Sequence, residues 1–295
     1  MPAPLNLIPW RYTPREDFTV RGWHSSPSGK PLLHVLHGNG FCGLVYAPML
    51  TVLAERFDLW LSDVQGHGDS DPGEKFVGWN RNADIALEAF KRHRPLFGAV
   101  PCLAVGHSFG GVLTCLMLAS ERRLFERAVV LDPVILPAAV AMAVTMAEGM
   151  GLSGHAPLAV SARRRRRHWP HRSAAADSLR GRGTYQGWRE DALQAFVQHA
   201  LCDSADGGVE LKCPSEREAD IFSSTATGLW TALRQIKTPT LMLYGEHTFD
   251  FVHSSALQWA GSNPTVQAVQ VPGGHCFMQE RPDETARLVG DFLAA

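Results

Sequence analysis

The chain has 295 residues, of which 45% are hydrophobic and 19% are charged, and its formal net charge is −1. This amount of apolar material is enough for a packed core, which excludes a disordered or fibrous protein. The near-neutral charge excludes a globally basic nucleic-acid-binding protein, although a local basic patch stays open.

No targeting or membrane-spanning pattern is evident in the sequence. Residues 1–17 lack the basic region followed by an apolar region that is typical of secretion signals. The longest apolar stretch, residues 138–147, is about half as long as a bilayer span requires. The six cysteines form neither a CxxC pair nor a zinc-finger spacing, which indicates free thiols in a reducing compartment. We therefore expect a cytoplasmic protein without stable membrane insertion.

Short apolar runs bounded by glycine and proline alternate with helical patterns along the chain. The runs that favour strands are residues 18–23, 31–36, 57–62, 102–105, 128–131, 240–244 and 265–271. The helical patterns cover residues 49–56, 82–92, 110–120, 254–260 and 283–293. The first of these strands is expected to run antiparallel to the others. The alternation predicts an α/β fold, with a mostly parallel central sheet flanked by helices.

Residues 137–236 interrupt this alternation, since no clear strand pattern appears among them. A loop of that length is uncommon in a compact domain, so the segment must have structure of its own. Within residues 190–201 the apolar positions recur at helical spacing. We therefore predict a core formed by residues 1–136 and 237–295, with a mainly helical insertion at residues 137–236.

The insertion contains a run of five arginines at residues 163–167, in a chain that has only five lysines among its 28 basic residues. One interpretation is a solvated helix or loop face. The alternative is a contact with an anion, either a carboxylate or phosphate of the substrate or an acidic lipid surface. The sequence does not decide whether these arginines face a cleft.

The strongest local motif is GHSFGG at residues 106–111. It follows a predicted strand and opens a predicted helix, which is the context that a G-x-S-x-G nucleophile requires. Its glycines relieve crowding at a sharp turn, so that Ser108 can project its hydroxyl above the edge of the sheet. The N-terminus of the following helix favours developing negative charge at the same point. The motif therefore predicts that Ser108 is a nucleophile.

A nucleophilic serine needs a base and an acid that orients the base. His275 is the candidate base, because it lies in a glycine-rich loop directly after the last predicted strand. The candidate acids are Asp132, which ends the strand after the nucleophile helix, and Glu246 and Asp250, which follow the penultimate strand. The residues by themselves leave this choice open.

A second glycine-rich turn, at residues 37–41, follows the first buried strand. The backbone N–H of Asn39 in this turn and that of Phe109 are expected to form an oxyanion hole, worth roughly 3 kcal/mol per donor. His37 is interpreted as a residue that fixes the loop, and His107 as a buried packing residue under Ser108.

Six motifs occur along the chain in the order HGNG, DVQGHGDSD, GHSFGG, LDP, GE and GGH. In this order they resemble the α/β-hydrolase fold superfamily, from about residue 18 to the C-terminus, with the insertion in place of the family's cap or lid. The resemblance implies a nucleophile at Ser108, a base at His275 and oxyanion donors at the backbone of Asn39 and Phe109.

The chain departs from the usual pattern of this superfamily at the acid. Most members carry an aspartate three residues after the glycine that ends the penultimate strand, and here that position is Thr248. A minority place the acid at the end of the strand after the nucleophile helix, which corresponds to Asp132. We therefore favour Asp132 over the alternatives Asp250 and Glu246.

A serine nucleophile implies acyl transfer rather than the alkyl-ester chemistry of members with aspartate at that position. We expect a hydrolase of a small carboxylic ester, or another small-molecule acyl substrate, that needs no metal or organic cofactor and no nucleic acid. A thioesterase or a carbon–carbon bond hydrolase with the same three residues is the alternative within enzymes. A non-catalytic ligand-binding or receptor protein is the alternative of another class.

Overall fold

The computed structural model describes residues 5–151 and 156–295. Residues 1–4 of the predicted core and residues 152–155 of the predicted insertion lie outside the described residues. The strands are β1 (Leu7–Tyr12), β2 (Val20–Ser25), β3 (Leu32–Leu36), β4 (Asp58–Asp63), β5 (Cys102–His107), β6 (Arg127–Leu131), β7 (His168–Trp169), β8 (Leu201–Asp203), β9 (Val209–Leu211), β10 (Thr240–His247) and β11 (Val266–Gly274).

The α-helices of the same residues are α1 (Ala47–Leu53), α2 (Trp79–His93), α3 (Phe109–Ser120), α4 (Ala138–Gly149), α5 (Pro157–Arg164), α6 (Arg172–Leu179), α7 (Glu190–His199), α8 (Ser215–Phe222), α9 (Leu229–Gln235), α10 (Asp250–Ser262), α11 (Phe277–Glu280) and α12 (Pro282–Ala294). Short 3₁₀ helices are formed by Gly43–Tyr46, Arg94–Phe97 and Gly183–Tyr185.

Eight strands form one twisted sheet in the order β1-β2-β4-β3-β5-β6-β10-β11. β2 pairs antiparallel with both β1 and β4, and all other neighbours in the sheet are parallel. Every residue of β3, β4 and β5 is buried, as expected for central strands covered on both faces. The predicted α/β architecture is confirmed, including the antiparallel strand that precedes the parallel ones.

Two apolar layers cover the sheet. On one face Trp60 of β4 packs in a cluster with residues of α2, α3, α9 and α10. On the other face Leu59 and Leu61 of the same strand pack with residues of α1, α7, α11 and α12. Side chains alternate between the faces because successive residues of a strand point in opposite directions. Because the helices cover the two faces of the sheet, the loops lie at the ends of the parallel strands.

The long segment between β6 and β10 contains α4 to α9 and also a small antiparallel sheet in the order β7-β9-β8. The sequence shows no clear pattern for these three strands. These strands have two or three residues each, which is too short for an alternating pattern to be recognised. β1 was also not predicted, because Pro9 and Arg11 interrupt its apolar pattern at the edge of the sheet.

Candidate active site

Ser108 occupies a sharp turn between β5 and α3. Its backbone has φ 54° and ψ −118°, a conformation that few residues other than glycine adopt. A β-carbon at Gly106 would lie 2.4 Å from the carbonyl oxygen of Gly110, and one at Gly110 would lie 2.4 Å from that of His37. Glycine at both positions therefore allows α3 to start directly against the ends of the strands, with Ser108 at the sheet edge.

A continuous hydrogen-bonded series starts at the Ser108 side chain. The Ser108 Oγ lies 2.9 Å from Nε2 of His275, and Nδ1 of the same ring lies 2.5 Å from Oδ2 of Asp132. The carboxylate can only accept at neutral pH, so Nδ1 carries the proton and Nε2 is free to accept from the serine hydroxyl. This is the order that the predicted roles of nucleophile, base and orienting acid require.

Asp132 is fully buried at the end of β6 and is held by the neighbouring strand β10. The backbone N–H of Gly245 donates to its Oδ1 at 2.8 Å, and the Thr248 hydroxyl donates to its Oδ2. Thr248 thus contributes a hydroxyl to Asp132 at the position where the resemblance leads one to expect the acid. The alternatives Glu246 and Asp250 are both exposed, and within the described residues neither forms a hydrogen bond with His275.

The two expected oxyanion donors are backbone N–H groups in the turn after β3 and at the start of α3. In the turn after β3, the N–H groups of Gly38 and Gly40 donate to the Tyr46 hydroxyl and to Nε2 of His67, respectively. Among the residues that the structure describes, the N–H of Asn39 between them has no hydrogen-bond partner. The N–H of Phe109 is the first of α3, where no preceding helical turn supplies an acceptor.

Two buried histidines hold this turn in place. His37 donates from Nδ1 to the carbonyl of Gly38 at 2.8 Å and accepts the N–H of Val64 on Nε2 at 3.1 Å. His67 donates from Nδ1 to the carbonyl of Gln65, and its Nε2 accepts from Gly40. Burial lowers the pKa of His37 to about 4 and that of His67 well below its ordinary value. Both rings are therefore neutral near pH 7, as these acceptor roles require.

The mouth of the site combines a solvent-accessible base with apolar surface. The His275 side chain is 23% exposed, and the ring of Phe249 lies 5.0 Å from the imidazole. Phe249 itself is 41% exposed and stacks on Phe251. An apolar group of a bound molecule would therefore find a contact next to the base.

The arginine run is spread over several local partners. Arg163 pairs with Glu216 at 2.8 Å, Arg167 lies 4.0 Å from Glu210, and Arg166 lies over the ring of Trp169. Arg165 points inwards, donates to both oxygens of Glu218 at 2.7 Å and reaches the Tyr185 hydroxyl at 3.1 Å. Of this group, Arg165 lies next to the turn after β3, because a β-carbon at Gly40 would be 3.4 Å from its Nη1.

The contacts around the candidate site that were not predicted from the sequence come from residues without a motif. The Tyr46 hydroxyl bonds to His107, and the Thr248 hydroxyl bonds to Asp132. Glu280 accepts the N–H of Gly274 at 2.9 Å, which fixes the loop that carries His275. Thr248 had one usable signal, its position where most members of the resembled superfamily have the acid. Tyr46 and Glu280 had none, because their partners are distant in the sequence or lie in an irregular loop.

Within residues 5–151 and 156–295, no group of three or more histidine, cysteine, aspartate or glutamate side chains is placed to hold a metal ion. No helix in this part of the chain combines the length and the apolar character needed to cross a membrane.

Comparisons with known proteins bear on the family and the fold of this chain. The family model described as the alpha/beta hydrolase family matches residues 33–288. The abhydrolase domain-containing protein AFT2-1 of Alternaria alternata is 32% identical over 238 residues, which cover 65% of this chain and 83% of that protein. The type I acyl-CoA thioesterase mpaH of Penicillium roqueforti (strain FM164) is 26% identical over 207 residues, which cover 65% of this chain and 43% of that protein.

Among solved structures, that of E-2-(acetamidomethylene)succinate hydrolase is similar to this chain with a TM-score of 0.76. The alignment covers 98% of this chain and all of the other at 23% sequence identity, a level at which the likeness establishes the fold alone.

Proposed function

The chain belongs to the alpha/beta hydrolase family, and from this premise we propose that it is a serine hydrolase of a small carboxylic ester or a related acyl compound. One observation carries the proposal: the uninterrupted series from Ser108 through His275 to the buried Asp132, with distances of 2.9 and 2.5 Å. A serine that only stabilises a turn has no need of an imidazole acceptor that is oriented by a buried carboxylate.

In the proposed mechanism, His275 accepts the hydroxyl proton of Ser108 on Nε2 while Oγ attacks the carbonyl carbon of the substrate. The negative charge that develops on the carbonyl oxygen is stabilised by the N–H groups of Asn39 and Phe109, each worth roughly 3 kcal/mol. The imidazolium then donates its proton to the leaving group, which gives an acyl-enzyme at Ser108. A water molecule activated by the same imidazole hydrolyses this ester, and Asp132 stabilises the imidazolium in both steps.

Thioester hydrolysis is the second candidate. It is favoured by the relative named as a type I acyl-CoA thioesterase, since the proposed residues would attack an ester and a thioester carbonyl alike. Carbon–carbon bond hydrolysis requires in addition that the site protonate a carbon leaving group. A binding protein of the same fold would hold ligands without turnover, and the test below separates it from an enzyme.

The proposal is tested by labelling with a fluorophosphonate probe. The folded wild-type protein should be labelled and Ser108→Ala should not, whereas Ser254→Ala, which removes an exposed hydroxyl on α10, should be labelled like the wild type. Absence of label on wild-type protein that is folded by circular dichroism would contradict the proposal. A panel of p-nitrophenyl esters of increasing acyl length, with the matching CoA thioesters, then distinguishes esterase from thioesterase activity.

A further inference from the structure

A buried chain of hydrogen bonds connects the three loops that carry the proposed catalytic groups. The N–H of Gly38 donates to the Tyr46 hydroxyl at 3.0 Å, and that hydroxyl lies 2.6 Å from Nδ1 of His107. On the other side of the ring, Nε2 of His107 lies 3.1 Å from the backbone carbonyl of His275. We call these three contacts the Tyr46–His107 bridge.

The direction of each hydrogen bond in the bridge is fixed. The carbonyl of His275 can only accept, so the ring of His107 must carry its proton on Nε2. Its Nδ1 therefore accepts, and the Tyr46 hydroxyl donates to it while its oxygen accepts from Gly38. Burial lowers the pKa of His107 well below its ordinary value and raises that of Tyr46, so both side chains keep these roles over the usual assay range.

The two side chains of the bridge are buried, which makes their contacts hard to replace. Tyr46 and His107 are each 2% exposed, and Gly38 is buried. If one group were removed, its partners would keep unsatisfied polar atoms in the interior. A β-carbon at residue 38 would lie 2.7 Å from Nδ1 of His107, so the turn approaches the ring as closely as only glycine permits.

Each of the three loops that the bridge connects carries a proposed catalytic group. Gly38 precedes Asn39, the proposed oxyanion donor, and His107 precedes Ser108. The third contact is made by the backbone of His275, the proposed base. The mutual placement of the oxyanion donor, the nucleophile and the base thus depends on two side chains that do not touch the reacting atoms.

We propose that Tyr46 and His107 are positioning residues. They hold the turn at residues 37–41 and the loop of His275 in fixed positions relative to Ser108. This inference rests on the proposed serine hydrolase function. It replaces the sequence-based interpretation of His107 as a packing residue, although the ring also stacks against Phe41 at 6.1 Å between centroids.

The test compares variants that keep the packing and remove the polar atoms. Tyr46→Phe retains the ring but leaves Gly38 and His107 without their partner, and kcat should fall by about 10- to 100-fold with KM changed much less. His107→Gln keeps an amide donor where Nε2 stands, whereas His107→Phe removes both polar contacts. The expected order of kcat is wild type, then His107→Gln, then His107→Phe.

Two controls make the result decisive. Tyr12→Phe removes a hydroxyl that bonds to Glu88 at the far edge of the sheet and should leave kcat unchanged. Rates are expressed per site titrated with the fluorophosphonate, so that misfolded protein does not count as slow enzyme. If titrated wild type, Tyr46→Phe and His107→Phe have kcat values within twofold of one another, the bridge is only structural and the proposal is wrong. If wild type takes up no label at all, the proposed function fails first, and this proposal with it.

Discussion

At the scale of single residues, backbone strain is concentrated where the proposed chemistry lies. Among the described residues other than glycine, only Asp17, Ser108 and Asp132 have a positive φ. Such conformations cost of order 1–3 kcal/mol each and persist when the surrounding structure determines them. Ser108 is held by the start of α3, and Asp132 by its N–H bond to the carbonyl of Leu243 at 2.7 Å. The fold thus presents both side chains at the sheet edge in fixed directions.

The first prediction concerns the identity of the acid. Asp132→Asn should lower kcat by roughly 10³- to 10⁴-fold, because an amide next to Nδ1 of His275 no longer selects the tautomer that accepts from Ser108. Asp250→Asn and Glu246→Gln should change kcat by less than about twofold, since both side chains are exposed and outside the hydrogen-bonded series. The measurement is steady-state hydrolysis of the best p-nitrophenyl ester of the panel. If Asp250→Asn alone abolished turnover, the assignment of Asp132 would be wrong.

At the scale of elements, α5 and α8 link the inserted segment to the turn at residues 37–41. The two helices pack through the alanines Ala159, Ala162 and Ala219. This packing brings Arg165, which follows α5, against Glu218 of α8. The backbone carbonyl of Glu218 in turn accepts from the side-chain amide of Asn39 at 3.0 Å. The ion pair therefore fixes the helix that holds the side chain of the proposed oxyanion donor.

The second prediction follows from the burial of this ion pair. Glu218→Gln leaves the Arg165 guanidinium, whose side chain is only 23% exposed, without its counter-ion. The change should lower the free energy of unfolding by about 3 kcal/mol, the lower end of the range for a broken buried pair because Arg165 keeps some contact with water. In urea unfolding, the double variant Arg165→Met/Glu218→Gln should be more stable than Glu218→Gln alone. Additive effects of the two changes would show that the pair is not coupled.

The contrast between these elements explains what the sequence could predict. Ser108 and His275 were predicted because each lies in a glycine-rich loop at the end of a recognisable strand, and the structure brings both together with Asp132. Local patterns cannot reveal contacts between distant segments, such as that of Asn39 with Glu218 179 positions later. The strands of two or three residues in the inserted segment could not be predicted for a related reason. They are stabilised by their tertiary surroundings, and their sequences are too short to show a periodic pattern.

At the scale of the whole molecule, the core contains several titratable side chains whose charged forms are disfavoured by burial. Among the described residues, four histidines are no more than 2% exposed: His34, His37, His67 and His107. Burial lowers the pKa of all four, to about 3 for His34 and about 4 for His37. Asp63, also fully buried, has its pKa raised to about 7 by burial, partly offset by the N–H of Gly43. Near pH 5.5 the folded state therefore keeps these four histidines unprotonated and keeps Asp63 protonated.

The third prediction is a loss of stability in mild acid. Between about pH 6.5 and pH 4 the unfolded chain binds protons on the four histidines while the folded chain does not, so the histidines destabilise the fold as the pH falls. Asp63 acts in the opposite direction between about pH 7 and pH 4, because there the folded state is protonated and the unfolded state is not. These five groups together account for a net uptake of about three protons on unfolding near pH 5.5, which corresponds to roughly 4 kcal/mol per pH unit. Above about pH 8 the contribution of these groups should be constant.

Two variants separate the contributions in urea unfolding measured from pH 5 to pH 8. His34 packs against Phe90 and Phe125, and within the described residues its Nδ1 has no hydrogen-bond partner. His34→Phe should therefore reduce the slope of stability against pH by about one proton. Asp63→Asn should increase the slope by about one proton, because it removes the opposing term. A wild-type stability that stays flat from pH 7 to pH 5 would mean that these histidines take up protons in the folded state.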